Sequence, residues 1–127
     1  MLKPKVWGIY REVLEMIIEV AKSNYPMEYI ALLRQEDGVI SELHFIPGTL
    51  QGEDNAIIQL HMRPVDLNIV GTVHCHPGNS NHPSQADLDL FRRFGNVHII
   101  ICLPYGMGTW QSYDMEGGRI GLKIVDE

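Results

Sequence analysis

Residues 67–103 read LNIVGTVHCHPGNSNHPSQADLDLFRRFGNVHIIICL, and this stretch decides the fold. Leu67 to His76 is a long extended run. The Pro- and Gly-bearing segment Pro77 to Pro83 favours turns and removes backbone donors, so it reads as a loop. Ser84 then caps a helix over about Gln85 to Phe94, with Asp87 at its third position and Gly95 just past its end. Val97 to Leu103 is a near-continuous apolar strand. Working outward, Tyr10, Val13, Leu14, Ile17, Ile18 and Ala21 recur at helical spacing within Trp7 to Lys22, and Pro26 stops that helix. Glu28 to Leu33 reads as a strand, Asp37-Gly38 as a hairpin turn, and Val39 to Ile46 as the partner strand, broken by Pro47-Gly48. A loop from Thr49 to Asn55, a short strand from Ala56 to Leu60 and a break at Arg63-Pro64 follow. Tyr105 to Gly108 is a turn, Thr109 to Tyr113 a strand, and Arg119 to Val125 the last strand. The pattern is one α+β or α/β sandwich over residues 1–127, a mixed sheet with a helix on each side.

Composition narrows the function. The 127 residues are 45% hydrophobic and 20% charged, enough for a core without disulfide or metal staples, so a bound metal would be functional before structural. Asp and Glu total 16 against 10 Lys and Arg, with no basic cluster, which excludes a nucleic-acid footprint. The longest apolar run, Ile99 to Leu103, is far short of the ~20 residues that span a bilayer. No signal peptide precedes the amphipathic helix, so a cytoplasmic location is expected. Cys75 and Cys102 belong to no C-x-x-C pair and are expected as free thiols.

The chemistry concentrates at His74-Cys75-His76. Alternate side chains of a strand point to opposite faces, so the two imidazoles share a face with Cβ atoms roughly 6 to 7 Å apart, while Cys75 looks away. This spacing suits chelation and disfavours a Cys–His nucleophilic dyad. Ordinary half-buried strand histidines remain the plain alternative. Asp87 supplies a third candidate ligand, because with Leu90, Phe91 and Phe94 it lies on the core-facing stripe of its helix, whereas Asp89 points away. Ser84-x-x-Asp87 also matches a capping box, which would explain both residues with no metal. Two imidazoles and a carboxylate, leaving a fourth position for water, suit Zn²⁺ better than Mg²⁺ or Ca²⁺. Amide hydrolysis needs a base as well. Glu28, ahead of an apolar strand, is the candidate, or else a solvated strand-end residue. His44, His61 and His82 read as exposed residues and His98 as a satisfied core histidine.

A glutamate ahead of an apolar strand, then H-x-H-P, then Ser84-x-x-Asp87 after seven residues, resembles the JAMM (MPN+, JAB) metalloprotease family. The likeness extends to Gly71-Thr72-Val73, Leu88 to Gly95 and Val97 to Cys102, and is similar to the short stand-alone archaeal and bacterial members. It implies a single MPN-like domain with a mixed curved sheet flanked by helices, a cytidine-deaminase-like architecture. It implies one Zn²⁺ per chain held by His74, His76 and Asp87, Glu28 as general acid/base, and Ser84 as hydrogen-bond donor to the oxyanion. The implied activity is an isopeptidase or peptidase cutting after the C-terminal glycine of a ubiquitin-like or sulfur-carrier protein. A non-catalytic MPN-type scaffold is the alternative. Cys75 departs from the small hydroxyl residue usual between the histidines, and the chain has no room for linkage-selecting insertions.

Overall fold

The computed structural model describes residues 5–45 and 68–127. The expected loop over residues 49–55, the expected strand Ala56 to Leu60, the two breaks and His61 lie outside them. In chain order the elements are β1 (Gly8–Tyr10), α1 (Arg11–Asn24), β2 (Ile30–Glu36), β3 (Val39–Phe45), β4 (Ile69–Cys75), α2 (Gln85–Phe94), β5 (Val97–Ile101), β6 (Trp110–Tyr113), β7 (Arg119–Ile120) and β8 (Lys123–Val125).

The eight strands form one sheet in the order β7-β6-β5-β4-β2-β3-β1-β8. β2 runs antiparallel to both β3 and β4, and the turn between β2 and β3 has positive φ at both Asp37 and Gly38, as a two-residue hairpin demands. β4 and β5 are parallel, with α2 in the crossover. The helices take opposite faces of the sheet. The α1 stripe of Val13, Leu14, Ile17, Ile18 and Ala21 packs in one cluster with Ala31, Leu33, Val73, Ile99 and Ile101. On the other face Leu90 packs with Ile30, Leu32 and Ile69, and Phe91 with Ile100 and Tyr113.

Two elements differ from the sequence reading. The first helix starts at Arg11 rather than Trp7, because Gly8–Tyr10 pairs in parallel with β3 on one side and β8 on the other. Satisfying two rows of backbone groups outweighs extending a helix by one turn. The expected last strand from Arg119 to Val125 splits at Gly121-Leu122: β7 pairs with β6, while β8 pairs with β1 at the opposite end of the strand order. Three residue steps from Ile120 to Lys123 span at most about 11 Å. The sheet must therefore curl until its two ends almost meet.

Two glycines set the α2 face against β4. A Cβ at Gly71 would lie 1.4 Å from the Val97 carbonyl oxygen, so β4 and β5 approach more closely than a side chain permits. Gly95, with φ +118 at the end of α2, would place a Cβ 2.2 Å from the Val70 oxygen. Both contacts hold the β4–α2–β5 unit tight.

His98 locks the same unit. Its ring is fully buried, accepts the Thr72 backbone N–H at 3.2 Å on Nδ1 and donates from Nε2 to the Gly95 carbonyl at 2.9 Å. It stacks on Phe91 at 4.1 Å. Burial pushes its pKa down to about 4 from 6.5. The folded chain thus holds the ring neutral, and its contribution to stability is complete above pH 6.5 and erodes as pH falls from there toward 4, amounting to about 3 kcal/mol. Ring NMR is expected to show no His98 protonation above pH ~5; a titration midpoint near 6.5 in the folded chain would contradict this.

Candidate active site

β4 delivers its histidines by the pleat. His74 faces α2, its ring centroid 5.8 Å from that of Phe91 and the two rings edge-on, while Cys75 is buried in the cluster on the α1 side. Burial raises the Cys75 thiol to about 11, which keeps it protonated and removes it as a nucleophile. Cys75 and Cys102 are both free. His76 follows the last residue of β4 and is half-buried.

Opposite these rings stands the first turn of α2. Ser84 is the N-cap: its Oγ accepts the Asp87 N–H at 3.1 Å and its own N–H donates to Asp87 Oδ2 at 2.8 Å. The same carboxylate faces both imidazoles, with His74 Nδ1 3.1 Å from Oδ1 and His76 Nε2 3.1 Å from Oδ2. Capping and convergence on the histidines are thus one arrangement, and the two readings of Ser84-x-x-Asp87 do not exclude each other. Burial alone would lift the Asp87 carboxyl, but the hydrogen bonds from His74 and His76 outweigh it and hold the group ionised, well below the usual carboxylate range. The Asp87 hydrogen bond raises the His76 pKa. His76 Nδ1 donates to the Ser80 carbonyl at 3.1 Å, so both ring nitrogens point at oxygen acceptors.

Glu28 stands two residues ahead of β2, which starts at Ile30 rather than at Glu28 as the sequence reading has it. Ile30 pairs with His74, and the Cys75 N–H bonds the Tyr29 carbonyl at 3.2 Å. Continuing that antiparallel register by one more pair sets Glu28 opposite His76. Glu28 is exposed, so its carboxylate is not desolvated in the way its apolar neighbours in sequence imply. It nevertheless lines, with Ile30, His74, His76, Ser84 and Asp87, a cleft of about 370 Å³. The loop walling this cleft is held in three places: Leu103 N–H donates to the Gly78 carbonyl at 2.9 Å, the Tyr113 hydroxyl to the Asn81 carbonyl at 2.6 Å, and the Asn81 side chain to the Thr109 carbonyl at 3.3 Å. His82 is exposed and His44 lies 3.0 Å from Glu42, neither in the cleft lining.

Among the described residues no three His, Cys, Asp or Glu side chains form a preassembled metal-binding group. The reason is local, since both imidazoles face the carboxylate as hydrogen-bond partners and their lone pairs do not yet converge. Two features fit a cation all the same. Two imidazoles and an ionised carboxylate line one cleft, a mixed nitrogen and oxygen donor set that suits Zn²⁺. The nitrogen-to-oxygen separations of 3.1 Å also come close to the ligand–ligand edge of a zinc tetrahedron, about 3.3 Å. Ser80 was not singled out by the sequence, because it acts through its main-chain carbonyl.

A model of prokaryotic homologs of the JAB domain matches residues 11–115. A "probable metalloprotease" of Haloferax volcanii is 35% identical over 132 residues, covering 96% of this chain and 81% of its own. A solved structure described as a JAMM metalloprotease-like zinc site in the proteasome and signalosome is 39% identical, covers 95% of this chain and 99% of its own, and superposes with a TM-score of 0.76. A JAB1/MPN domain protein from Archaeoglobus fulgidus is 38% identical, covers 94% and 98%, and also has a TM-score of 0.76. No helix among the described residues is long and apolar enough to cross a membrane.

Proposed function

The chain belongs to the prokaryotic JAB family, and from that premise we propose that it is a zinc-dependent peptidase cutting the amide bond after the C-terminal glycine of a ubiquitin-like or sulfur-carrier protein. The observation that carries the reading is the meeting of His74, His76, Asp87, Ser84 and Glu28 on one open cleft from three separate elements. The likeness to a probable metalloprotease and to a metalloprotease-like zinc site supports it.

His74, His76 and Asp87 would hold one zinc ion. When bound, the ion would lower the pKa of its water toward ~7 and polarise the scissile carbonyl. Glu28, across from His76 and open to solvent, would take the proton of the attacking water and return it to the leaving amine. Ser84 uses an Oγ lone pair on the Asp87 N–H, which leaves its hydroxyl proton free to donate to the developing oxyanion. His76 holds its Nδ1 proton on the Ser80 carbonyl, which leaves Nε2, on the Asp87 side, as the nitrogen that would face a cation. β4 is paired on both sides, so an extended substrate tail would lie past its end, between His76 and the pinned 77–83 loop.

The test is metal analysis together with cleavage of conjugates of candidate ubiquitin-like and sulfur-carrier proteins from the same genome. One zinc per chain and chelator-sensitive cleavage are expected. Because the two core faces are built without the ion, the chelated chain should lose activity yet still melt cooperatively. A chain with no stoichiometric zinc, and cleavage indifferent to chelator, would refute the reading and favour a scaffold.

A further inference from the structure

We propose that Tyr105 is a positioning residue for His76, fixing the main chain of this ligand so that its ring stays aimed at Asp87; the proposal rests on the zinc-peptidase reading above. Tyr105 lies in the turn between β5 and β6, is 2% exposed and has φ +58. A bulky side chain in the left-handed region is strained and persists only where its surroundings over-determine it, often at functional sites. Packing in the α1-side cluster, a hydrogen bond to Cys75 and three further contacts do so here. Its hydroxyl donates to the His76 carbonyl at 3.0 Å, its N–H donates to the Cys102 carbonyl at 2.9 Å, and its ring meets that of Tyr25 edge-on at 6.1 Å.

His76 needs such help because it stands where β4 ends. Its N–H still bonds the Ile101 carbonyl at 2.8 Å, but its own carbonyl has left the ladder, and the Tyr105 hydroxyl takes the place of the missing strand. With both backbone groups tied, the Cα–Cβ direction is set. The ring then reaches Ser80 on one nitrogen and Asp87 on the other. The Tyr25 contact extends the brace to the segment leading into Glu28, so one side chain links the strand end bearing a ligand to the approach of the base. Groups that orient a metal-binding imidazole tune its affinity strongly.

Tyr105→Phe keeps the ring and deletes the hydroxyl. Zinc affinity, read by competition with a chromophoric chelator, is expected to fall at least about tenfold, and the visible absorption of the Co²⁺-loaded protein to change. Ser112→Ala removes a different buried hydroxyl, which donates to the Ile120 carbonyl at 2.6 Å, and should leave both readouts at wild-type values. In metal-free protein the His76 ring carbon and nitrogen NMR signals should shift in Tyr105→Phe, because the ring leaves its place between Ser80 and Asp87. Should Tyr105→Phe not fold, Tyr25→Leu, at an exposed ring, is expected to lower zinc affinity by a smaller factor. Wild-type affinity together with an intact ring signal in the folded variant overturns the proposal. A wild-type chain that binds no zinc overturns the peptidase reading instead, and the metal-free signal then decides the role of Tyr105 by itself.

Discussion

Glu28→Gln should lower kcat about 10²- to 10⁴-fold while the protein still takes up one zinc, the range expected when a positioned proton acceptor is removed. The amide keeps the size of the side chain and its place in the cleft lining, so substrate contacts survive and KM should move little. Glu28 is outside the His74–His76–Asp87 group, and the metal content should therefore match wild type. Steady-state kinetics on a C-terminal conjugate, paired with metal analysis of the same sample, checks both halves. Turnover near wild type would remove Glu28 from the mechanism, and loss of zinc would make it a ligand.

The second large effect belongs to Asp87, which serves two ends with one carboxylate. Asp87→Asn retains an oxygen able to accept the Ser84 N–H but loses the charge faced by both imidazoles. Its zinc affinity should drop more than about 100-fold, beyond what outer-shell changes cause, with hydrolysis falling in step. The fold should weaken too, because the ionised carboxylate that both imidazoles face is lost. Asp87→Ala loses the cap as well and should cost about 1–2 kcal/mol more. Chelator competition and urea melts on the two variants separate the ligand role from the capping role. Equal zinc affinity in Asp87→Asn and wild type would exclude the carboxylate as a ligand.

The sequence exposes those parts of the site whose geometry is local. The opposed faces of His74 and Cys75 follow from the pleat, and the Ser84–Asp87 cap from a four-residue pattern. Glu28 shows the boundary. Its place across from His76 depends on the pairing of β2 with β4, and no period in either segment encodes that register. Tyr105 and Ser80 leave no signal because they act on or through main-chain atoms, where residue type is a weak guide. The β1 segment misleads for a related reason: Gly8-Ile9-Tyr10 is compatible with a helical stripe, and only neighbours distant in sequence make it a strand.

The curled sheet carries an implication for how the chain assembles. β1 is flanked by β3 and by β8, so residue 8 waits for residue 123 before its second edge is covered. Contacts between such remote positions slow folding. During synthesis the core between α1 and β2–β3 can form early, but the ring of strands stays unsealed until residues 119–125 have emerged, when one short peptide covers both ends at once. Truncation before Gly121 would therefore leave β1 uncovered as a template for pairing with another chain, a hazard that the two- and three-residue end strands otherwise keep small.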